Sequence, residues 1–230
     1  MSGKSWIAFA LIVVTFAASA GCNLPPRVVI ENLPIDTIPE ATSANRTQSR
    51  PAERHIPQPN QSAQGKATNW VPQAFPRPWK WIVIHHSATD RGSAAIFDRY
   101  HRGKGWDELG YHFVIGNGRG AVDGKVEVGS RWVKQKWGAH CKTPGNAYNT
   151  YGIGICIVGK YSDKLPSPAQ LDSLRRLVRF LSDRYGIAPA NIIGHRDAPG
   201  TSTKCPGDTL HRYIHGTLRP EIAQHRSARR

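Results

Sequence analysis

Three side chains that lie far apart in the sequence, two histidines and a cysteine, have the chemistry of zinc ligands. His195 and Cys205 belong to the segment NIIGHRDAPGTSTKCPGD, whereas His85 lies much earlier, in WIVIHHSATD. Zinc binds imidazole nitrogen and thiolate sulfur, and a site with three protein ligands keeps a fourth position open for water. An open position of this kind is typical of hydrolytic metal sites. The function therefore depends on whether these side chains meet.

The spacing of these side chains differs from that of a structural zinc site. Zinc fingers take their ligands from closely spaced pairs, and the sequence has no Cys-x-x-Cys pair. Long separation favours a catalytic site that is assembled from different strands. Each residue alone also has a structural alternative, because a histidine at a strand end is often a packed or surface side chain.

Buried strands and amphipathic helices alternate along the main part of the chain. The hydrophobic patterns predict strands at residues 81–84, 111–115, 152–159 and 191–194, and helices at residues 93–100, 168–185 and 209–222. This order predicts a single α/β domain with a mixed central β-sheet flanked by helices. His85 and His195 each follow a predicted strand, at the end of the sheet where sites tend to form.

Residues 1–22 have the pattern of an export signal. Lys4 precedes an apolar run that is too short for an ordinary membrane span and ends in small residues. Ala18-Ser19-Ala20 fits the cleavage site of a secreted protein, whereas Ser19-Ala20-Gly21-Cys22 resembles the lipobox of bacterial lipoproteins. Both alternatives stay open. We expect an exported protein of the cell envelope, either secreted or attached to the membrane through a lipidated Cys22.

Composition divides the rest of the chain into a tether, a domain and a basic tail. Residues 23–75 are rich in proline and polar residues and are expected to form a largely disordered tether, although residues 27–30 could add a strand. The domain is expected at residues 76–223 and the tail at residues 224–230. A net charge of +15 indicates a polyanionic partner or serves solubility alone. Because export argues against nucleic acid, we expect no nucleic acid as a partner. We also expect the protein to be a monomer.

Cys141 and Cys156 are used neither by the export signal nor by the candidate metal site. In an oxidising compartment these two cysteines could pair. Cys156, however, lies in an apolar run, where a free cysteine behaves as a small buried hydrophobe. We therefore predict two unpaired thiols.

Several motifs surround the candidate ligands in a fixed order. They read IVIHHSAT, GWDELGYHFVIGNG, WGAHCKTPGNAYNTYGIGICIVG and IIGHRDAPGTSTKCPGD. In this order they resemble the zinc amidases of the peptidoglycan recognition protein and phage T7 lysozyme type, which are N-acetylmuramoyl-L-alanine amidases. The resemblance covers about residues 78–222, nearly the whole predicted domain.

The resemblance implies a complete catalytic site. The implied ligands of Zn²⁺ are His85, His195 and Cys205. Tyr111 is implied to assist at the metal, Thr203 to lie at the active site, and His140 to lie near the bound substrate. The implied reaction is hydrolysis of the amide bond between N-acetylmuramic acid and L-alanine in peptidoglycan or in soluble muropeptides.

A related branch of amidases carries a glutamate in the strand that reads GICIVG here, at residues 154–159. That run contains no carboxylate, which favours a mechanism assisted by Tyr111. The same branch uses aspartate as the third ligand, so Cys205 again indicates the recognition-protein side of the family. The remaining conspicuous histidines are predicted to be structural or surface residues: His86, His101, His112, His211 and His215.

Two other functions compete with the amidase hypothesis. The first is a non-catalytic peptidoglycan-binding module of the same fold; such modules typically lack a zinc ligand, whereas all three ligand positions are filled here. The second is nucleic-acid binding by the basic surface. No zinc-finger spacing or basic helix of the usual kinds supports it.

Overall fold

The structure is a computed structural model and describes residues 70–229. The predicted signal segment, Cys22, the alternative strand at residues 27–30 and most of the predicted tether lie outside the described residues.

A five-stranded mixed sheet forms the centre of the domain. Its strands are β1 (Trp81–His86), β2 (Phe113–Ile115), β3 (Val126–Val128), β4 (Gly152–Ile157) and β5 (Ile192–Gly194). Their order across the sheet is β3-β2-β4-β1-β5. β1 is parallel to both β4 and β5, β2 is parallel to β4, and only β2 and β3 are antiparallel. The predicted mixed sheet is confirmed.

Helices flank this sheet, as the sequence predicts. They are α1 (Ala94–Gly103), α2 (Ser130–Val133), α3 (Ala147–Thr150), α4 (Pro168–Tyr185), α5 (Asp208–Tyr213) and α6 (Arg219–Ser227). A membrane-spanning candidate, long and apolar throughout, is not found among the helices of residues 70–229.

The longest helix, α4, begins and ends where its sequence signals predict. The Ser167 hydroxyl accepts a hydrogen bond from the Gln170 amide, and the Gln170 side chain accepts one from the Ser167 amide. These bonds satisfy N–H groups that have no partner within the helix. Gly186 ends α4 with φ at 67°, a left-handed conformation that glycine adopts at little cost.

The two faces of the sheet have different surroundings: one packs in the main core, and the other carries His85. Side chains alternate along a strand, so Ile82 and Ile84 pack in the main core with α4, while Val83 and His85 point to the opposite face. Every residue of β4 is buried. Burial on both faces explains why the central parallel strands are continuous apolar runs. His85 is therefore a buried polar side chain on the face of the sheet opposite the main core.

Four features of the fold were not predicted. Strand β3 is a short, partly buried partner of β2, and the one-turn helix α2 follows it. Helix α3 lies within residues 138–150, where the sequence suggests only a loop. The single helix expected at residues 209–222 is divided by a π-helical turn, Ile214–Leu218, between α5 and α6. Elements this short lack the periodicity from which a sequence indicates a helix or strand.

The folded region extends slightly beyond residues 76–223 at both ends. Trp70, placed in the predicted tether, is buried against Phe180, and its carbonyl accepts a hydrogen bond of 2.9 Å from the Trp132 indole. Helix α6 continues through Ser227, into the predicted tail. A lone tryptophan in a polar stretch gives no periodic signal, so its place in the core depends on tertiary contacts.

Candidate active site

The three predicted ligands converge at one edge of the sheet. β1 and β5 are parallel neighbours, with Ile84 opposite Gly194, so His85 in β1 and His195 directly after β5 lie side by side. Their ring centroids are 4.7 Å apart, and His85 Nδ1 is 3.7 Å from the Cys205 Sγ. One ligand atom from each residue lies within 4.8 Å of the others.

Hydrogen bonds from Arg196 close the loop between His195 and Cys205. The Arg196 amide donates to the Cys205 carbonyl at 2.9 Å, and the Arg196 guanidinium donates to the Lys204 carbonyl and to Asp208. This clamp closes the loop between two ligands without using either ligand side chain. Cys205 is therefore held near His195 although it lies in an irregular segment.

Asp197 fixes the turn that carries His195. Its carboxylate accepts the Gly194 amide at 2.9 Å and is also hydrogen-bonded to His211 at 2.7 Å and His215 at 2.9 Å. These interactions hold down the pKa of Asp197 against the opposing effect of burial. This network was not predicted from the sequence, although His211 and His215 lie four residues apart on a predicted helix and therefore on one face.

The two imidazoles are in the form that binds zinc, whereas the thiol of Cys205 would need a nearby cation to ionise. Burial, followed by the neighbouring His140 and His195, holds the pKa of His85 well below its usual range, and burial also lowers the pKa of His195. Neutral imidazole is the form that binds metals. Burial raises the pKa of Cys205 to about 12. A thiolate at this position thus requires a nearby cation, which zinc would provide.

Tyr111 and Thr203 lie beside this group. The Tyr111 ring centroid is 5.3 Å from that of His85. Burial, followed by the Cys156 and Cys205 thiols, raises the pKa of Tyr111 well above its usual range, so the phenol keeps its proton. The Thr203 Oγ1 accepts the Cys205 amide at 3.1 Å, which leaves its own proton free for another partner.

A cleft of about 700 Å³ opens next to the candidate ligands. Its walls include His140, His195 and Thr203, together with Trp106 and Lys142. Tyr111 is not among its lining residues; its partly buried ring lies next to that of His85. Volumes of roughly 300–1,000 Å³ are typical of pockets for small ligands. The cleft is therefore large enough for a small ligand or part of a larger one.

His140 is buried between this cleft and His85. Its Nδ1 is 3.1 Å from His85 Nε2, and its Nε2 is 3.2 Å from the Gly152 carbonyl. It also borders the cleft, so the predicted contact with substrate stays a prediction. The hydrogen bonds of His140 to His85 and to the Gly152 carbonyl were not predicted from the sequence.

The other histidines near the sheet have structural partners, in agreement with their predicted roles. His86 Nδ1 accepts the Tyr161 amide at 3.3 Å, and His101 Nδ1 accepts the Gly110 amide at 3.1 Å. Cys141 and Cys156 are buried and unpaired, which confirms the prediction for these two thiols.

His112 is a buried histidine whose protonation opposes folding. Its Nδ1 accepts the Gly154 amide at 2.9 Å, and its Nε2 lies 3.0 Å from the Lys136 carbonyl. Burial lowers its pKa from 6.5 to about 4. Because the folded pKa lies below the unfolded value, full stability is present above pH 6.5 and is lost as the pH falls toward 4. At about 1.4 kcal/mol per pH unit, the loss is about 3 kcal/mol.

We therefore expect His112→Gln to make stability less dependent on pH. Urea unfolding of the metal-free proteins at pH 7 and pH 4.5 should show that the native sequence loses about 2–3 kcal/mol more than the variant does. The variant can be less stable at both pH values, because the measured quantity is the difference between them. Equal losses in the two proteins would contradict a low pKa at His112.

The comparisons with known proteins agree with this geometry. Residues 75–208 match the family model described as N-acetylmuramoyl-L-alanine amidase. The chain is 32% identical over 153 residues to the N-acetylmuramoyl-L-alanine amidase of Sus scrofa, a match that covers 60% of this chain but 23% of that protein. It is 32% identical over 148 residues to peptidoglycan-recognition protein 1 of Holotrichia diomphalia, covering 60% of this chain and 68% of the relative.

A solved structure shows the same fold. The N-acetylmuramoyl-L-alanine amidase LysC from Clostridium intestinale superposes with a TM-score of 0.51 at 29% identity, over 61% of this chain and 85% of that one. Fold, site and sequence together define an amidase-type domain of the peptidoglycan recognition class. The chain belongs to the N-acetylmuramoyl-L-alanine amidase family. The family includes proteins named as amidases and proteins named as recognition proteins.

Proposed function

We propose that this protein is a zinc-dependent N-acetylmuramoyl-L-alanine amidase. The proposal is carried by one observation, the convergence of His85, His195 and Cys205 within 4.8 Å beside an open cleft. A module that only binds peptidoglycan has no need for two imidazoles and a thiol in this arrangement. The proposed substrate is peptidoglycan or a soluble muropeptide, and the bond cut is the amide between N-acetylmuramic acid and L-alanine.

The three converging side chains would hold the metal. When bound, zinc would polarise the scissile carbonyl and lower the pKa of a water molecule at its open position. The chain supplies the rest of the chemistry. Its rigid strands β1 and β5 hold two of the ligands, and the Arg196 clamp holds the third, so the site is formed before substrate arrives.

Tyr111 and Thr203 are the proposed hydrogen-bond donors of the reaction. Addition of water oxygen to the carbonyl carbon places negative charge on the carbonyl oxygen, and both hydroxyl groups retain a proton that could stabilise that charge. Cleavage of the C–N bond then requires a proton on the leaving amine of L-alanine. The proton of the attacking water is the source, and Tyr111 would relay it, because β4 carries no carboxylate.

The cleft would bind the substrate next to these donors. Trp106 offers an exposed aromatic surface and Lys142 a positive charge, which suit the sugar and carboxylate groups of a muropeptide. Both ring nitrogens of His140 are already hydrogen-bonded, so its proposed contact with substrate is through ring carbon atoms. The proposed binding of stem peptides thus depends more on the shape of the cleft than on charged groups in its walls.

Digestion of purified sacculi tests the bond, the metal and the activity together. Mass spectrometry should detect free stem peptides that begin with L-alanine and glycan strands that retain their N-acetylmuramic acid. A chelator should abolish both products, and added Zn²⁺ should restore them. Binding to sacculi without release of peptide would instead support a non-catalytic module. Release of other fragments would contradict the proposed bond.

We also propose that the protein acts outside the cytoplasm, as the N-terminal signal pattern indicates. Export would bring the domain to its polymer substrate. Fractionation of cells that express the full chain, with and without Cys22→Ala, tests both arms: membrane association that is lost in the variant supports lipidation, and release from the cell in both supports simple secretion. Retention in the cytoplasm would contradict export.

A further inference from the structure

We infer that His140 is a positioning residue that selects the tautomer of His85, so that His85 presents Nδ1 as its metal-binding atom. The inference rests on the zinc site of the proposed function but not on the bond that the enzyme cuts. It is carried by a line of hydrogen-bonding groups that runs from the Gly152 carbonyl through His140 to His85 and ends at the Cys205 sulfur.

The first step fixes the proton of His140. A backbone carbonyl only accepts hydrogen bonds, and the Gly152 oxygen lies 3.2 Å from His140 Nε2. The proton of a neutral His140 ring therefore lies on Nε2. A doubly protonated ring would put a charge without a counterion into a buried site that already contains His85. His140 Nδ1 is consequently an acceptor.

The second step passes this constraint to His85. His85 Nε2 lies 3.1 Å from the acceptor atom His140 Nδ1, so it must carry the hydrogen. The lone pair of His85 then lies on Nδ1, the atom that is 3.7 Å from Cys205 Sγ. The opposite tautomer would put two lone pairs face to face and a proton where the metal belongs. One carbonyl oxygen in β4 thus sets the ligand atom in β1.

Neighbouring residues hold the backbone and the imidazole ring of His140 in place. The Asn149 side-chain oxygen accepts the backbone amides of His140 at 2.8 Å and Cys141 at 2.7 Å, which fixes the backbone. Gly138 and Gly154 border the ring, and a Cβ atom at either position would lie 2.3 Å from His140 Cδ2. Any larger residue at these two positions would displace the imidazole.

The alternative orientation is costly. If the His140 ring turned into the cleft, His85 Nε2 would lose its partner, and His85 is only 1% exposed to solvent. A buried polar group without a partner destabilises the fold, because it loses its hydrogen bond to water without gaining another. Groups that orient a metal-binding histidine are typically worth about 10–100-fold in metal affinity or activity. We expect an effect of this size at His140.

Matched substitutions and zinc affinity test the assignment. His140→Phe keeps a ring but removes both hydrogen bonds, and it should weaken Zn²⁺ binding about 10–100-fold in competition with a chromophoric chelator. His140→Asn keeps an acceptor near the position of Nδ1 and should bind within about threefold of the native protein. His101→Phe, which alters another buried histidine outside the ligand group, should leave zinc affinity unchanged. Native affinity in His140→Phe would overturn the inference.

Nitrogen-15 NMR of the native metal-free protein gives a readout that does not depend on folding of a variant. The expected result is a protonated Nε2 and an unprotonated Nδ1 at His85, with the same tautomer at His140. A proton on His85 Nδ1 would overturn the inference. The outcomes remain separate from those of the proposed function, because loss of zinc binding in His140→Phe supports the positioning role even if sacculi release no stem peptide.

Discussion

Replacing Cys205 with alanine is expected to abolish zinc binding and to lower amide hydrolysis by about a thousandfold or more. The variant leaves two imidazoles, fewer than the three protein ligands of catalytic zinc sites. A catalytic metal lowers the activation barrier by several kcal/mol, and each 1.36 kcal/mol corresponds to a factor of ten in rate. We expect comparable losses for His85→Ala and His195→Ala. Hydrolysis of a defined muropeptide and metal content by mass spectrometry provide the two measurements.

Two further variants make this experiment specific. Cys205→Asp replaces the thiolate by another anionic donor and should retain part of the zinc and part of the activity. His225→Ala removes a histidine that pairs with Asp183 on the helical surface, and it should behave as the native protein does. Full hydrolysis by a folded, zinc-free Cys205→Ala protein would show that the thiol is not an essential ligand.

The sequence predicted the elements that carry the ligands because local pattern determines them. The apolar run before His85 is a strand buried on both faces, and the capping residues around α4 mark both ends of that helix. Parallel neighbours place their carboxyl ends at one edge, so strand ends alone suggested that His85 and His195 could meet. Cys205 follows no strand end; the sequence suggested it through the chemistry of its thiol, and the family resemblance supported it.

The contacts that support the ligands could not be predicted in the same way. Asp197 joins β5 to the C-terminal helices through His211 and His215, and His140 joins β4 to β1. His211 and His215 share one helix face, but Asp197, which pairs with them, and the partners of His140 are distant from them in sequence. Polar partnerships inside a fold depend on which side chains packing brings together, whereas strands and helices depend on neighbours along the chain.

Tyr111 is the residue on which the proposed chemistry depends after the metal. The run at residues 154–159 contains no carboxylate. Its titratable side chain is Cys156, and burial raises the pKa of that thiol well above the usual range. A neutral thiol is a weak donor and a poor base. The phenol of Tyr111 is also neutral, and it is a far better hydrogen-bond donor. In the proposed mechanism, the task of a carboxylate therefore falls to Tyr111.

We accordingly expect Tyr111→Phe to lower kcat about a hundredfold while zinc content and KM change little. The substitution removes one hydroxyl group, and a single donor to a developing oxyanion or a relayed proton is worth about 10²–10³ in rate. Steady-state kinetics on a muropeptide measure the split between kcat and KM, and Tyr100→Phe on exposed α1 is the matched control. A loss confined to KM would assign the hydroxyl to substrate binding. An unchanged kcat would mean that the proton reaches the leaving amine without Tyr111, leaving Thr203 or water as the donor.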